Sequence, residues 1–594
     1  MAESVPGTPP SSTSLQDRLD SWKEIAAYLK RDVTTVQRWE KREGMPVHRH
    51  QHDRMGSVYA FSSELDAWVQ SRRLRLEEEE KEHERRAETP VAAEGDHRPI
   101  GTPRARRWLV VGGVAVLALL AVTYVMTWSR GRNATPPKIT SLAVLPLKNL
   151  SGDSTQEYFA DGMTESVIGR LSMIRGLRVI SRTSVMQLKD THMSAPEIAK
   201  KLQVDALVEG SVIRQGGRVR VHAQLIQGAT DEHFWSETYD RELGDALVLE
   251  SEVAQAIAQR VQVTVTGQER ARLAAVPPVA PEVYESYLKG AFGKSNNRNE
   301  IETSIGYFEE AIRKDPTFAP AYVGLAFAYD DLATVVLPEE VRPKAISAAR
   351  KALELDPDLA DAHALLGEMH QLQWQWAEAQ AEYKRALELN PNDAAAHLGL
   401  ANWLLCQGRT EEALVWSRRA RELDPLGVTG LSNGWILFNA RRYDEAIGEL
   451  RSVLAVHSDY ATAHWFLGSA LIAVGRSDEA ITALDKAVSL SGGSPAVIGT
   501  LVSAYAQSGR RTEALRLVGE LKRRQRRNYV PAEAFVDAYL GLGERDQAFA
   551  WLDRAYREHS GILQILKVHP FFDPVRNDPR FVDLVHRVGL DQAR

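Results

Sequence analysis

A period of 34 residues in the second half of the chain constrains its fold more than any other feature. Prolines preceded by Asp or Asn fall at Pro316, Pro357, Pro391 and Pro425, and the last three are 34 residues apart. The same offsets return inside successive units. Over 360–393, Leu366-Gly367 is followed by Ala379, Tyr383, Ala386 and Pro391. Over 394–427 the equivalents are Leu400-Ala401, Ala413, Ser417, Ala420 and Pro425, and over 461–494 they are Leu467-Gly468, Ala480, Leu484 and Ala487. Small residues such as Gly367 and Ala379 let the two helices of a hairpin approach closely. Each proline ends the second helix, because it disfavours helix at the residue before it. A unit of this size cannot bury its apolar face alone, so the units stack into a solenoid.

These spacings resemble the tetratricopeptide repeat. The pattern predicts about eight repeats over 281–562, with an insertion of about seven residues around Val336–Arg342. The stretch HPFFDPVRNDPRFVDLVHRVGL reads as part of a C-terminal cap over 563–594, covering the last apolar face. The resemblance implies a concave surface that recognises a protein partner.

A second constraint is the apolar run WLVVGGVAVLALLAVTYVMTW, residues 108–128, with 21 residues and no charge. Arg104, Arg106, Arg107, Arg130 and Arg132 bracket it. At 1.5 Å per residue its length matches the roughly 30 Å hydrocarbon core of a bilayer. It predicts a single-pass transmembrane helix. Lys and Arg are balanced on its two flanks, so the positive-inside rule does not orient it.

Ahead of it, residues 1–14 are rich in Pro, Ser and Thr and read as disordered. In DSWKEIAAYLKRDVTTVQRWEKREG, Ser21 can cap a helix that places Trp22, Ile25, Ala26 and Leu29 on one face. A short turn leads to a second helix from about Thr34, with Val36 and Trp39 inward. PVHRHQHDRMGSVYAF alternates around Gly56 as a two-stranded wing would, and Ser63-Glu-Leu-Asp66 opens a further helix with Leu65, Trp68 and Val69 inward. The region 15–73 resembles the winged helix-turn-helix domains of the MerR and excisionase type, although Lys30 stands where that family usually has glycine. The resemblance implies DNA binding. The side chains expected to reach phosphates and base edges are Thr34, Thr35, Gln37, Arg38, Lys41 and Arg42 on the second helix, with Arg49 and Arg54 on the wing. His48, His50 and His52 alternate along the wing but lie among arginines, which favours phosphate over a metal ion. Residues 74–107 form a charged linker.

Residues 139–267 read as an α/β unit. SLAVLPL and LRVIS are buried strands, Ser194-Ala-Pro196 opens a helix, and DALVEGSVIRQGGRVRVHAQLIQ is a hairpin turning at Gln215-Gly216-Gly217. A strand over His233–Tyr239 and a helix over Asp245–Val263 complete it. VLPLKNLSGDSTQEYFADGMTESVIGRL, LVEGSVI and HFWSETYDREL resemble the amino-terminal domain of TolB-like and FlgO-like envelope proteins. That implies a non-catalytic, extracytoplasmic docking domain.

A net charge of −6 argues against a chain that coats nucleic acid along its whole length, and one cysteine, Cys406, excludes an internal disulfide or a CxxC metal site. Gly290-Ala-Phe-Gly293-Lys294-Ser295 imitates the end of a phosphate-binding loop, but no strand precedes it and Leu288 stands where the first glycine belongs. No motif points to catalysis, a cofactor or a metal, and the chain is read as not an enzyme. The expected fold is multidomain and mainly α: a tetratricopeptide superhelix with a small winged helix-turn-helix domain, one transmembrane helix and an α/β domain. The expected function is a membrane-anchored DNA-binding transcriptional regulator of the bacterial inner membrane. Its N-terminus is cytoplasmic, its repeats are periplasmic and bind a protein, and its N-terminal domains pair as a homodimer. The alternative is an envelope scaffold or adaptor whose N-terminal domain grips protein.

Overall fold

The computed structural model describes residues 18–19, 21–31, 33–43, 45–49 and 58–71, and residues 139–591 apart from 277–278, 293–296, 334–335, 337 and 428. The segments expected to be disordered (1–14), linker (74–107) and membrane-spanning (108–128) lie outside the described residues. The chain divides into two compact units, 1–130 and 131–594.

In the first unit, β1 (Arg18–Leu19), α1 (Trp22–Tyr28), α2 (Val33–Glu43), β2 (His48–Arg49) and β3 (Val58–Phe61) are followed by helical residues 62–71. The strands form an antiparallel sheet in the order β1-β3-β2. Ser21 caps α1 by accepting from the Glu24 backbone N–H at 3.2 Å. The turn into α2 needs a left-handed residue, and Lys30 supplies it at φ 52° without glycine. Ile25, Ala26, Val36, Met45, Val58, Ala60, Leu65 and Trp68 close one small core.

The second unit begins with a six-stranded mixed sheet. Its strands are β4 (Ser141–Val144), β5 (Lys148–Asn149), β6 (Arg178–Val179), β7 (Ala206–Gln215), β8 (Arg218–Gln227) and β9 (His233–Glu242), in the order β6-β4-β7-β8-β9 with β5 beside β7. β4 runs parallel to β6 and β7, while β7, β8 and β9 are antiparallel. Gly216 turns the β7–β8 hairpin at φ 58°. Helices Glu157–Ser172 and Ala246–Arg260 bury Phe159, Met163, Leu171, Leu249 and Ile257 into the core shared with the sheet.

From Pro281–Phe292 to Arg545–Arg557 the described helices fall into eight successive pairs. Two of the joints between pairs are made by a large ring wedged between glycines. A β-carbon at Gly290 or Gly324 would meet the Phe308 ring at 2.9 and 2.3 Å, and one at Gly367 or Gly399 would meet the Tyr383 ring at 2.9 and 2.3 Å. Gly290, part of the phosphate-loop imitation, therefore serves packing. The array coils back on itself, so that Trp374 of the third pair stacks on His559, just past the eighth, with ring centroids 4.5 Å apart.

The membrane localisation is corrected. Among the described residues no helix is long and apolar enough to cross a membrane. The longest, Pro338–Leu355, has 18 residues but carries Glu339, Glu340, Arg342, Lys344, Arg350, Lys351 and Glu354, each expensive in hydrocarbon. The inner-membrane placement, with a cytoplasmic N-terminus and periplasmic repeats, rested on the transmembrane helix and is not upheld.

Candidate functional site

The residues expected to touch DNA are brought onto one element only in part. Thr34, Thr35, Gln37, Arg38, Lys41 and Arg42 all lie on α2. Positions 34, 37, 38, 41 and 42 follow the i, i+3, i+4, i+7, i+8 spacing of a single helical face, and Thr35 stands beside it. Arg38 is exposed, Thr35 and Gln37 are half-buried, and the side chains of Thr34, Lys41 and Arg42 lie outside the described residues. Arg49 belongs to β2, while Arg54 falls outside the described residues. α2 is held from behind by Val36, fully buried, and by Trp39, whose ring lies 5.6 Å from that of Trp68. Of the three wing histidines only His48 is described. Its Nε2 is 2.7 Å from Glu64 and its ring stacks on Tyr59 at 5.1 Å.

The second unit holds a different candidate, on the inner side of the repeat array. The C-terminal cap expected at the end of the array also turns inward. Gln371 donates to Gln564 at 3.1 Å, Trp376 Nε1 donates to the Val588 carbonyl at 2.9 Å, and Arg441 pairs with Asp573 at 2.7 Å. His569 is buried against Trp435, Phe438 and Phe572, and burial, with Arg576 and Arg441 nearby, pushes its pKa down to about 3. It is a neutral, aromatic packing residue.

Between this C-terminal segment and the first helices of the repeats lies a cavity of about 680 Å³. Trp435, Trp465 and Phe466 form an aromatic wall; Asp361, Glu368 and Asp537 bring carboxyl groups. Glu368 is exposed on this face, and the nearby charges of Asp330 and Asp331 raise its carboxyl while Arg342 opposes them. Asp537 is 7% exposed, and burial, with Glu533 one turn away, pushes it up to about 8. Its Oδ2 accepts from Thr500 Oγ1 at 3.2 Å, and Thr500 in turn accepts from Trp465 Nε1 at 2.8 Å. Its Oδ1 is buried without a hydrogen-bond partner. Sequence reasoning missed this site, although one signal was present: Asp537 is the lone carboxylate inside the apolar run AFVDAYL.

The outer turns of the repeats do something else. Asn392 follows the Asn-Pro signal and is 5% exposed, yet it is fully used. Its amide donates to the carbonyls of Ser172, Ile174 and Leu177 at 3.0, 3.3 and 2.8 Å. Asp424, from the Asp-Pro signal of the next repeat, accepts from Ser181 and Ser184 hydroxyls at 2.5 and 2.6 Å. At the start of the array Tyr284 donates to the buried Glu250, which also accepts from Ser166. The α/β region and the repeats therefore pack as one unit.

Two family models of the tetratricopeptide repeat match residues 373–426 and 431–495. The chain carries tetratricopeptide repeats. A third model, HilA/YgeH-like transcriptional regulator, second domain, matches residues 138–259, the α/β region whose phrases resemble the TolB-like family. The curated protein "Putative adenylate cyclase 3" of Rhizobium meliloti (strain 1021) is 35% identical over 217 residues, 34% of this chain. The chain spans 37% of that relative's length. Among solved structures, YrrB, described as a TPR protein with an unusual peptide-binding site, is 23% identical over 31% of this chain and 92% of its own, with a TM-score of 0.24. PilF of Pseudomonas aeruginosa is 19% identical over 43% of this chain and 96% of its own, with a TM-score of 0.27.

Proposed function

We propose that the chain is a DNA-binding transcriptional regulator, with α2 of the first unit as the reading helix and the repeats as the surface that receives a protein signal. The observation that carries this reading is the exposed Arg38 on a helix whose opposite face is pinned by Val36 and Trp39, behind a turn completed by Lys30. A helix anchored on one face and basic on the other suits the major groove. The match of 138–259 to a domain of transcriptional regulators supports the same function from an independent part of the chain. Thr34, Thr35, Gln37, Lys41, Arg42, Arg49 and Arg54 join Arg38 in the proposed interface, and pairing of two chains would extend a footprint that one small domain leaves short. The chain is proposed to be non-catalytic, and the cyclase named for the relative is not carried over.

The test is to sequence DNA cross-linked to the full-length chain in cells. Recurrent sites sharing a short motif, lost in an Arg38→Ala chain, are the expected result. Random fragments with no motif would favour the adaptor reading, in which the first unit holds a protein.

A further inference from the structure

The cavity inside the repeat array has features that packing alone does not require. It is a half-open pocket on the inner side of the array, and its volume of about 680 Å³ is within the range of small-molecule sites. Among the described residues that line it there is no lysine or arginine. Asp537 is held in place through Oδ2 by the Trp465–Thr500 relay, and its Oδ1 is left buried and unpartnered. An unmade hydrogen bond to a buried acceptor is costly, so a native structure that keeps one calls for an explanation, and a bound group that supplies the donor is one.

We propose that this cavity binds a small organic cation, with an ammonium group on Asp537 and an apolar or aromatic body against Trp435, Trp465 and Phe466. Charge complementarity selects the cation: burial holds the Asp537 carboxyl protonated near neutral pH, an ammonium group beside it favours the ionised form, and the ring faces of the two tryptophans attract positive charge. The chain's own C-terminal segment selects a small molecule over an extended peptide. It lies across the inner side of the array through the Gln371–Gln564, Trp376–Val588 and Arg441–Asp573 contacts, so a peptide running along the groove would have to displace it. The proposal concerns the second unit and stands whether or not the first unit binds DNA.

The test is calorimetric titration of the full-length chain with tryptamine, alongside indole-3-propionate, which carries the same ring on an acid, and N-acetyltryptamine, which is neutral. Tryptamine is expected to bind one per chain and at least about tenfold more tightly than either control, the scale of a charge-assisted hydrogen bond. Asp537→Asn is expected to lower its affinity about tenfold or more while the chain still melts cooperatively. Glu533→Gln, which leaves the Thr500 relay intact, is expected to lower it about two- to threefold. Equal binding of the three probes, no binding of tryptamine, or unchanged affinity in both variants would overturn the proposal. Tighter binding of a capped Trp-Lys peptide than of tryptamine would overturn the choice of a small molecule.

Discussion

The outer turns and the inner face of the same repeat array both bury polar side chains, and they treat them in opposite ways. On the outer side Asn392 and Asp424 leave little unused: each bridges to several groups of the α/β region across more than 200 residues of sequence. On the inner side Asp537, which lines the cavity, leaves its buried Oδ1 without a hydrogen-bond partner. Buried polar groups that are fully satisfied define a unique fit between elements. A buried carboxylate that is half satisfied lowers stability and is retained where it has something to hold. The outer edge is architecture; the inner face is a site.

The largest expected effect comes from the outer edge. Asn392→Ala leaves the carbonyls of Ser172, Ile174 and Leu177 without their donor and should destabilise the second unit by about 3 kcal/mol, read from denaturant unfolding of the full chain. A loss under about 1 kcal/mol would mean water replaces the amide and the edge is not architectural. Asp424→Ala removes the acceptor of Ser181 and Ser184 and should cost about 2 kcal/mol in the same assay.

A smaller effect of opposite sign is expected on the inner face. Asp537 has a folded-state pKa of about 8, raised from 3.8 by burial and by Glu533 on its own helix, opposed by the Thr500 hydroxyl, with the neighbouring His569 neutral. A carboxyl raised in the folded state contributes stability that is complete below its unfolded pKa near 4 and is lost as pH rises through about 8. Asp537→Asn removes that loss. The variant should be more stable than the parent at pH 9, and the gap should close toward pH 5. A variant equally destabilised at both pH values would place Asp537 with the architectural group.

How much of this is visible in the sequence follows from the same contrast. The repeats are legible because their joints need small residues at fixed spacing, and Gly367, Ala401 and Ala379 are where the period puts them. The two helices of the first unit are legible from their apolar spacing; the turn between them closes because Lys30 takes φ 52°, which no residue count reveals. The outer docking was hidden because Asn392 and Asp424 sit in Asn-Pro and Asp-Pro turns, so their second role looks like ordinary turn chemistry. The inward fold of residues 561–591 was hidden for another reason. Its partners, Gln371, Trp376, Trp435 and Arg441, lie more than 100 residues away and follow from how far the array coils, not from any local pattern. Asp537 carried the clearest unread signal, a carboxylate among Phe535, Val536, Ala538 and Tyr539.

The most direct measurement of the central claim is the affinity of the full chain for a DNA site recovered from cells, followed across salt for the parent and for Arg38→Ala. If α2 reads DNA, the variant keeps its melting behaviour within about 0.5 kcal/mol, because Arg38 is exposed. It then loses either about one unit of salt slope, as for a phosphate contact, or on the order of 1–3 kcal/mol at one base position. Unchanged affinity, slope and base preference in the variant would contradict the account.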